Sequence, residues 1–196
     1  MDSDYLTITG PSEAVYREKM SRFLAFAFPV GTPTEAKEII ARMANEYHDA
    51  RHVCWAYMTG RSRTDFASSD NGEPSGTAGK PILGQINSAG LTNIVIVVVR
   101  YFGGIKLGTS GLIGAYREAA RMAIEAAEVI TVTEMASLRI TFPYLAMNEV
   151  MKIIKQHSIT VMSQEFDNLC DMTLSVPVTE LALWQGRFTG AGAVVG

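Results

Sequence analysis

The sequence predicts an α+β protein of two small domains, residues 1–133 and 134–196, and three observations carry that reading. Ile94–Val99 is apolar at every position, as a central strand covered on both faces must be. A strongly amphipathic helical pattern stands on each side of it in the sequence. After Thr133 the pattern restarts as strand, helix, strand, strand, helix, strand, which is the ferredoxin-like βαββαβ sandwich order.

In chain order, residues 22–28 are aromatic and apolar and are closed by Pro29, so they read as a buried strand. Thr32 as N-cap, Pro33 at the first helical position and Glu35 in a capping box mark a helix start. Ala36, Ile39, Ile40, Met43, Ala44 and Tyr47 then recur at helical spacing. Val53–Met58 reads as a strand. Residues 60–81 are expected to be irregular, because Ser62, Ser68, Ser69, Asp70, Asn71, Gly72, Pro74, Gly76 and Gly79 punctuate the backbone. A loop of that length inside a compact domain is usually functional or mobile. Ile82–Ser88 reads as a short helix. A second glycine-rich turn, Gly103–Gly111, leads into a long helix whose inward stripe is Leu112, Ile113, Tyr116, Ala119, Ala120, Ala123, Ile124 and Ala127.

In the second domain a strand, Leu138–Phe142, precedes a helix marked by Met147, Val150, Met151 and Ile154. Two strands meet at an Asp167-Asn168 turn, and Cys170, Met172, Leu174 and Val176 alternate with Asp171, Thr173 and Ser175. A helix capped near Thr179, carrying Leu181, Trp184 and Phe188, and the tail Ala193–Val195 close the unit. Met43, Met122, Met151 and Met172 fall on apolar faces and read as core filler.

Composition narrows the classes. Seventeen basic against twenty acidic side chains give a formal charge of −3, so any nucleic-acid contact must come from a local basic patch. The two cysteines, Cys54 and Cys170, offer no disulfide framework and suit a reducing cytoplasm. The N-terminus (Met1, Asp2, Ser3, Asp4) is acidic and unlike a signal peptide, and Ile94–Val99, the longest apolar run, is too short to span a bilayer. A cytoplasmic protein with no membrane contact is expected.

The working surface is expected at two glycine-rich loops, residues 70–81 and 100–111. Arg100, Tyr101, Gly103, Gly104, Lys106 and Gly108 follow a strand and open a helix, where unpaired amides and a positive dipole end favour an anion such as phosphate or sulfate. The bland alternative is a tight turn with Arg100 at a sheet edge. Gly72, Ser75, Gly76, Thr77, Gly79 and Lys80 supply permissive backbone and polar side chains in the other loop. Neither loop fits a Walker A or dinucleotide fingerprint, since Gly79-Lys80 is followed by Pro81. Asp70 and Glu73, with His52, are the candidates for acid–base work, against the alternative of solvated loop carboxylates. His48, His52 and Cys54 raise a metal or thiol site, against the alternative of plain core. No fourth ligand has suggestive spacing, so neither a metal nor another cofactor is expected.

Three segments resemble one family. They are His52-x-Cys54-Trp55-Ala56-Tyr57, then Asp70-x-Gly72-Glu73-Pro74-Ser75-Gly76-Thr77-Ala78-Gly79-x-Pro81-Ile82-Leu83, then Arg100–Gly108 followed by Gly111-Leu112. They resemble the signature of the IMPACT family, bacterial YigZ type, over roughly residues 15–128, with motifs long enough to be highly specific. The C-terminal part is similar to the ferredoxin-like domain of bacterial members, and the sequence shows no counterpart of the RWD domain of eukaryotic members. The resemblance implies a first domain like the second domain of ribosomal protein uS-five, shared with GHMP kinases and containing a left-handed βαβ crossover. It implies a second domain similar to domain V of elongation factor G. Eukaryotic relatives regulate translation by competing for a kinase activator; for a bacterial-type chain the implied role is binding of RNA or a ribosome-associated protein. Where this chain has Phe26 the family often has a histidine, which weakens a catalytic assignment.

Three functions are therefore set side by side. The leading expectation is RNA binding, with Arg100, Lys106, Lys80 and Arg117 on phosphates and Tyr101 and Phe102 as stacking faces. The second is an enzyme acting on a phosphorylated or nucleotide-like small molecule. The third is a protein-interaction module, monomer or homodimer, pairing through the ferredoxin-like sheet.

Overall fold

A computed structural model of the chain describes residues 4–196; the acidic N-terminal residues 1–3 lie outside the described residues. The chain divides into two compact units, Tyr5–Val132, and Thr133–Gly196 together with Asp4. Mixed helix and strand run through both. Among the described residues no helix is long and apolar enough to cross a membrane.

The first unit contains β1 (Asp4–Ile8), β2 (Ser12–Glu18), β3 (Ser21–Pro29), α1 (Pro33–Glu46), β4 (His52–Thr59), β5 (Asp65–Ser69), α2 (Gly79–Ser88), β6 (Ile94–Tyr101), α3 (Gly108–Glu125) and β7 (Val129–Thr133). Five strands form one sheet in the order β2-β3-β6-β4-β5, and β1 pairs with β7 separately. β3 and β4 both run antiparallel to β6. Successive side chains of a strand point to opposite faces, so β6 serves two cores at once. Ile94, Ile96 and Val98 pack with α2 and α3 residues such as Ile82, Leu112 and Tyr116. Val95, Val97 and Val99 pack with Ala36 and Met43 of α1. That double cover is why the strand shows no polar alternation.

Helix α1 begins at its cap. The Glu35 amide donates to Thr32 Oγ1 at 3.2 Å, while the Glu35 carboxylate accepts the Gly31 amide at 2.6 Å, one residue further back than a standard capping box. Ala36 and Met43 are buried, but Ala44 is exposed and does not belong to the inward stripe.

The stretch 60–81 is not irregular throughout. It contains β5, paired antiparallel with β4 from Trp55↔Ser69 to Thr59↔Asp65, and α2 starts at Gly79 rather than Ile82. An edge strand buries little; Phe66 is 55% exposed and β5 has only Phe66 and Ala67 as apolar residues, so no apolar run betrays it. Strands β1, β2 and β7 were likewise not expected.

The second unit follows the order β8 (Met135–Phe142), α4 (Met147–Gln156), β9 (Thr160–Phe166), β10 (Cys170–Pro177), α5 (Leu181–Gly190) and β11 (Val194–Val195), the βαββαβ sequence expected. Its sheet is ordered β11-β8-β10-β9 with every pair antiparallel. Cys170, Met172, Leu174 and Val176 are buried and their alternates are not. They meet Val150 and Ile154 of α4 and Trp184 and Phe188 of α5 in one core.

Candidate functional site

The site grows from the pairing of β4 with β6, which sets His52 opposite Arg100 at the end of the sheet. The turn after β5 is then folded onto that end by one carboxylate. Asp70 Oδ1 accepts the amides of Ala78 at 3.0 Å and Gly79 at 2.8 Å, and Oδ2 accepts that of Gly76 at 2.8 Å. Ala78, at the N-cap position of α2, offers no capping side chain, so Asp70 caps the helix from eight residues upstream. Burial pushes the Asp70 carboxyl up, but those three amides and the Lys80 charge outweigh it and hold it below the ordinary value. Gly79 permits the approach: a Cβ there would meet the Ser69 backbone at 2.8 Å. Asn71 adds two ties, its side chain accepting the Val53 amide at 2.9 Å and its carbonyl meeting His52 Nδ1 at 2.8 Å.

This frame delivers Glu73 into the interior. Its side chain is 3% exposed, and Oε1 accepts from Arg100 Nη1 at 2.6 Å and from the Tyr116 hydroxyl at 2.7 Å. His52 Nε2 stands 3.7 Å from Oε2. Behind them the Cys54 thiol donates to the Asp70 carbonyl at 3.0 Å and lies 3.4 Å from the Tyr116 hydroxyl. Burial raises the Cys54 thiol to about 12 and raises the Tyr116 phenol well above its usual value, so neither is a nucleophile at neutral pH.

A recess of about 460 Å³ opens over this cluster. It is lined by Arg51, His52, Glu73, Pro74 and Arg100 together with Phe102, Lys106, Leu107, Gly108, Thr109 and Leu112. Helix α3 starts here with no side-chain cap, and Leu107, Gly108 and Thr109 at its N-terminus line the opening. Phe102 is 41% exposed, with the Arg51 and Arg100 guanidinium carbons 5.7 Å and 5.5 Å from its ring.

The residues singled out in the sequence are thus divided. His52, Glu73, Arg100, Lys106 and Gly108 line the recess together. Asp70 does not; it is spent on backbone amides, and the amides of Gly76 and Gly79 are spent on it. Arg100 is 6% exposed and ion-paired, which makes it part of the floor and not a free phosphate contact on the rim. Lys80 and Arg117 line a separate shallow groove between α2 and α3, with Gly76. The Thr77 hydroxyl is buried on the Pro74 carbonyl, and Ser75 is exposed. Gly72, at φ +83°, lies beneath the His52 ring. Tyr101 donates its hydroxyl to Asp49 and carries Arg22 over its ring, so it is engaged outside the recess. Gly103 presses on the Met20–Ser21 backbone, and Gly104 turns at φ +90°.

His48 bonds locally to the Asn45 carbonyl, away from His52 and Cys54. Among the described residues no group of three or more His, Cys, Asp or Glu side chains could hold a metal. Sequence reasoning passed over Arg51, whose only signal was its place one residue before His52, and took Tyr116 for plain core. Phe26 faces the α1 side of the sheet beside Tyr47, whereas the recess lies on the other side, so a histidine there would not reach it.

The chain is similar to several known proteins. The family model described as the Impact N-terminal domain matches residues 19–124. A Haemophilus influenzae protein named as an IMPACT family member is 31% identical over 182 residues, covering 91% of this chain and 88% of that one. The IMPACT family member YigZ of Escherichia coli is 29% identical over 185 residues, covering 93% and 91%. A crystal structure described only as that of a hypothetical protein matches with a TM-score of 0.72 at 28% identity, over 100% of this chain and 97% of its own.

Proposed function

The chain belongs to the IMPACT family, and on that premise we propose that it is a translation-associated regulatory protein that binds single-stranded RNA in the recess between β4, β6 and the start of α3. The observation that carries the reading is Phe102, an exposed aromatic face held among Arg51, Arg100 and Lys106 at the mouth of a helix N-terminus. Single-stranded nucleic acid is gripped by that combination: a ring for a base, cations and amides for a phosphate. The floor does not oppose it, because the Glu73 charge is neutralised by Arg100. The family resemblance adds a uS-five-type fold for the first unit and a likeness to elongation factor G domain V for the second; both models for comparison are translation components.

The test is fluorescence anisotropy of a labelled oligoribonucleotide across a salt series. Two phosphate contacts predict a slope of log K against log salt near −1.4, at ~0.7 per contact on a single strand. Arg51→Ala with Lys106→Ala should flatten it, and Phe102→Ala should cost roughly 1–3 kcal/mol of binding. No binding at low salt, or unchanged binding by the double variant, removes the proposal. A second reading, an enzyme on a phosphorylated small molecule, is favoured by one observation: His52 Nε2 and Glu73 Oε2 face each other inside the recess. Phosphate-ester turnover that disappears in His52→Ala would select it instead.

A further inference from the structure

With the His52 ring neutral, two hydrogen-bond acceptors, His52 Nε2 and Glu73 Oε2, stand 3.7 Å apart at the floor of the recess. His52 Nδ1 meets the Asn71 carbonyl at 2.8 Å, and a carbonyl can only accept, so Nδ1 carries the proton. In the neutral ring Nε2 then presents its lone pair. Glu73 Oε1 is taken by Arg100 and Tyr116, while Oε2 accepts no hydrogen bond among the described residues. The two acceptor atoms are 3.7 Å apart, and both residues line the opening. Such a pair suits two neighbouring donors, one for each atom.

The charges restrict what brings those donors. Arg100 already neutralises Glu73, and Arg51 and Lys106 leave the recess positive, which disfavours an ammonium guest. A carboxylate or phosphodiester has no protons to give at neutral pH, and a phosphate monoester has at most one for two acceptors. A neutral vicinal diol has two, and an anion covalently attached to it can reach the cations and the start of α3. We infer that the recess recognises a ribose cis-diol linked to a phosphate. An internal ribonucleotide has its 3′ oxygen esterified and offers one hydroxyl only. The group recognised is therefore the 3′-terminal ribose of an RNA or the ribose of a free ribonucleotide. The inference rests on the RNA-binding reading of the same recess and specifies which part of the chain enters it.

Two labelled oligoribonucleotides of one sequence separate these statements, one ending in the intact diol and one oxidised by periodate, which destroys it. The intact end should bind at least about tenfold more tightly, the loss expected for two hydrogen bonds. In His52→Leu, whose Glu73–Arg100 pair is left in place, the ratio should fall toward the loss of one bond, and His52→Gln should restore part of it. Nucleoside 5′-monophosphates as competitors identify the source: competition at the RNA's own concentration points to the free nucleotide, and weak competition points to the RNA end. Equal binding of intact and oxidised ends overturns the inference and leaves RNA binding standing. Binding of neither overturns both.

Discussion

The buried ion pair makes the most exacting prediction. Glu73→Ala leaves the Arg100 guanidinium without its counter-charge at a site where the side chain is 7% exposed. The remaining partners are poor: Arg100 Nη2 reaches Ser21 Oγ only at 3.5 Å, and Nε has no partner. Breaking a buried pair from one side costs about 3–5 kcal/mol. The buried Tyr116 hydroxyl also loses the oxygen it donates to, which adds about 1 kcal/mol. At roughly 3–4 °C per kcal/mol for a unit of this size, Glu73→Ala should lower the melting temperature by about 12–24 °C. Replacing both partners by methionine removes the desolvation penalty together with the attraction, so the Glu73→Met, Arg100→Met double variant should lose far less than the two single changes added together. Calorimetry of the full chain, with urea unfolding followed by circular dichroism, measures the parent, Glu73→Ala, the two single methionine variants and the double variant. A Glu73→Ala melt within ~3 °C of the parent, or a double variant as damaged as the sum, refutes the reasoning.

Two glycines should respond in opposite directions. A Cβ on Gly103 would fall 2.1 Å from the Met20 carbonyl, so Gly103→Ala should cost roughly 3 kcal/mol in a urea titration. Gly114, inside α3, has nothing within 4 Å of the added carbon, and Gly114→Ala should gain roughly 0.5–1 kcal/mol. Asp70→Ala removes the acceptor of three amides and should cost about 2 kcal/mol at neutral pH, the upper end for a helix cap. Because the folded Asp70 titrates below its usual value, that difference should be full above about pH 5 and shrink below about 3.9; a gap that widens on acidification refutes it. Cys54, fully buried and with its thiol raised to about 12, should alkylate far more slowly in the native protein than in urea, read by peptide mass spectrometry.

What the sequence showed and what it hid follow from burial. β6 was legible because both of its faces are covered, and β10 because its buried and half-buried positions alternate cleanly. β5 and β2 are edge strands; β2 alternates only between half-buried and exposed positions, so solvent blurs its period. At the site, His52 and Glu73 stood out as polar residues in apolar or glycine-rich company. Tyr116 did not, since a phenol inside a helical stripe looks like core until its hydroxyl is seen between Glu73 and Cys54. Arg51 became part of the site only through the register that sets its neighbour His52 against Arg100.

The first glycine loop shows why amide geometry alone does not locate a ligand. Gly76, Ala78 and Gly79 converge their N–H groups as an anion site would, and the helix dipole of α2 points the same way. The anion is already present, and it is the side chain of Asp70. An external phosphate would have to displace a carboxylate that is tethered six to nine residues away and carries its own charge. Loop 70–79 therefore acts as a strut: Asp70 closes it, the closure fixes the backbone at Glu73, and Glu73 fixes Arg100. The second loop has no such internal carboxylate, and α3 begins there uncapped. On the proposed reading, the groups left to bind are Arg51, Phe102, Lys106 and Gly108. On that division, Asp70→Ala should loosen the Glu73–Arg100 floor and weaken RNA binding even though Asp70 itself lies outside the recess, whereas Lys80→Ala should leave binding unchanged. Anisotropy titrations of the two variants with one oligoribonucleotide measure the contrast, and a larger loss from Lys80→Ala than from Asp70→Ala would refute the division.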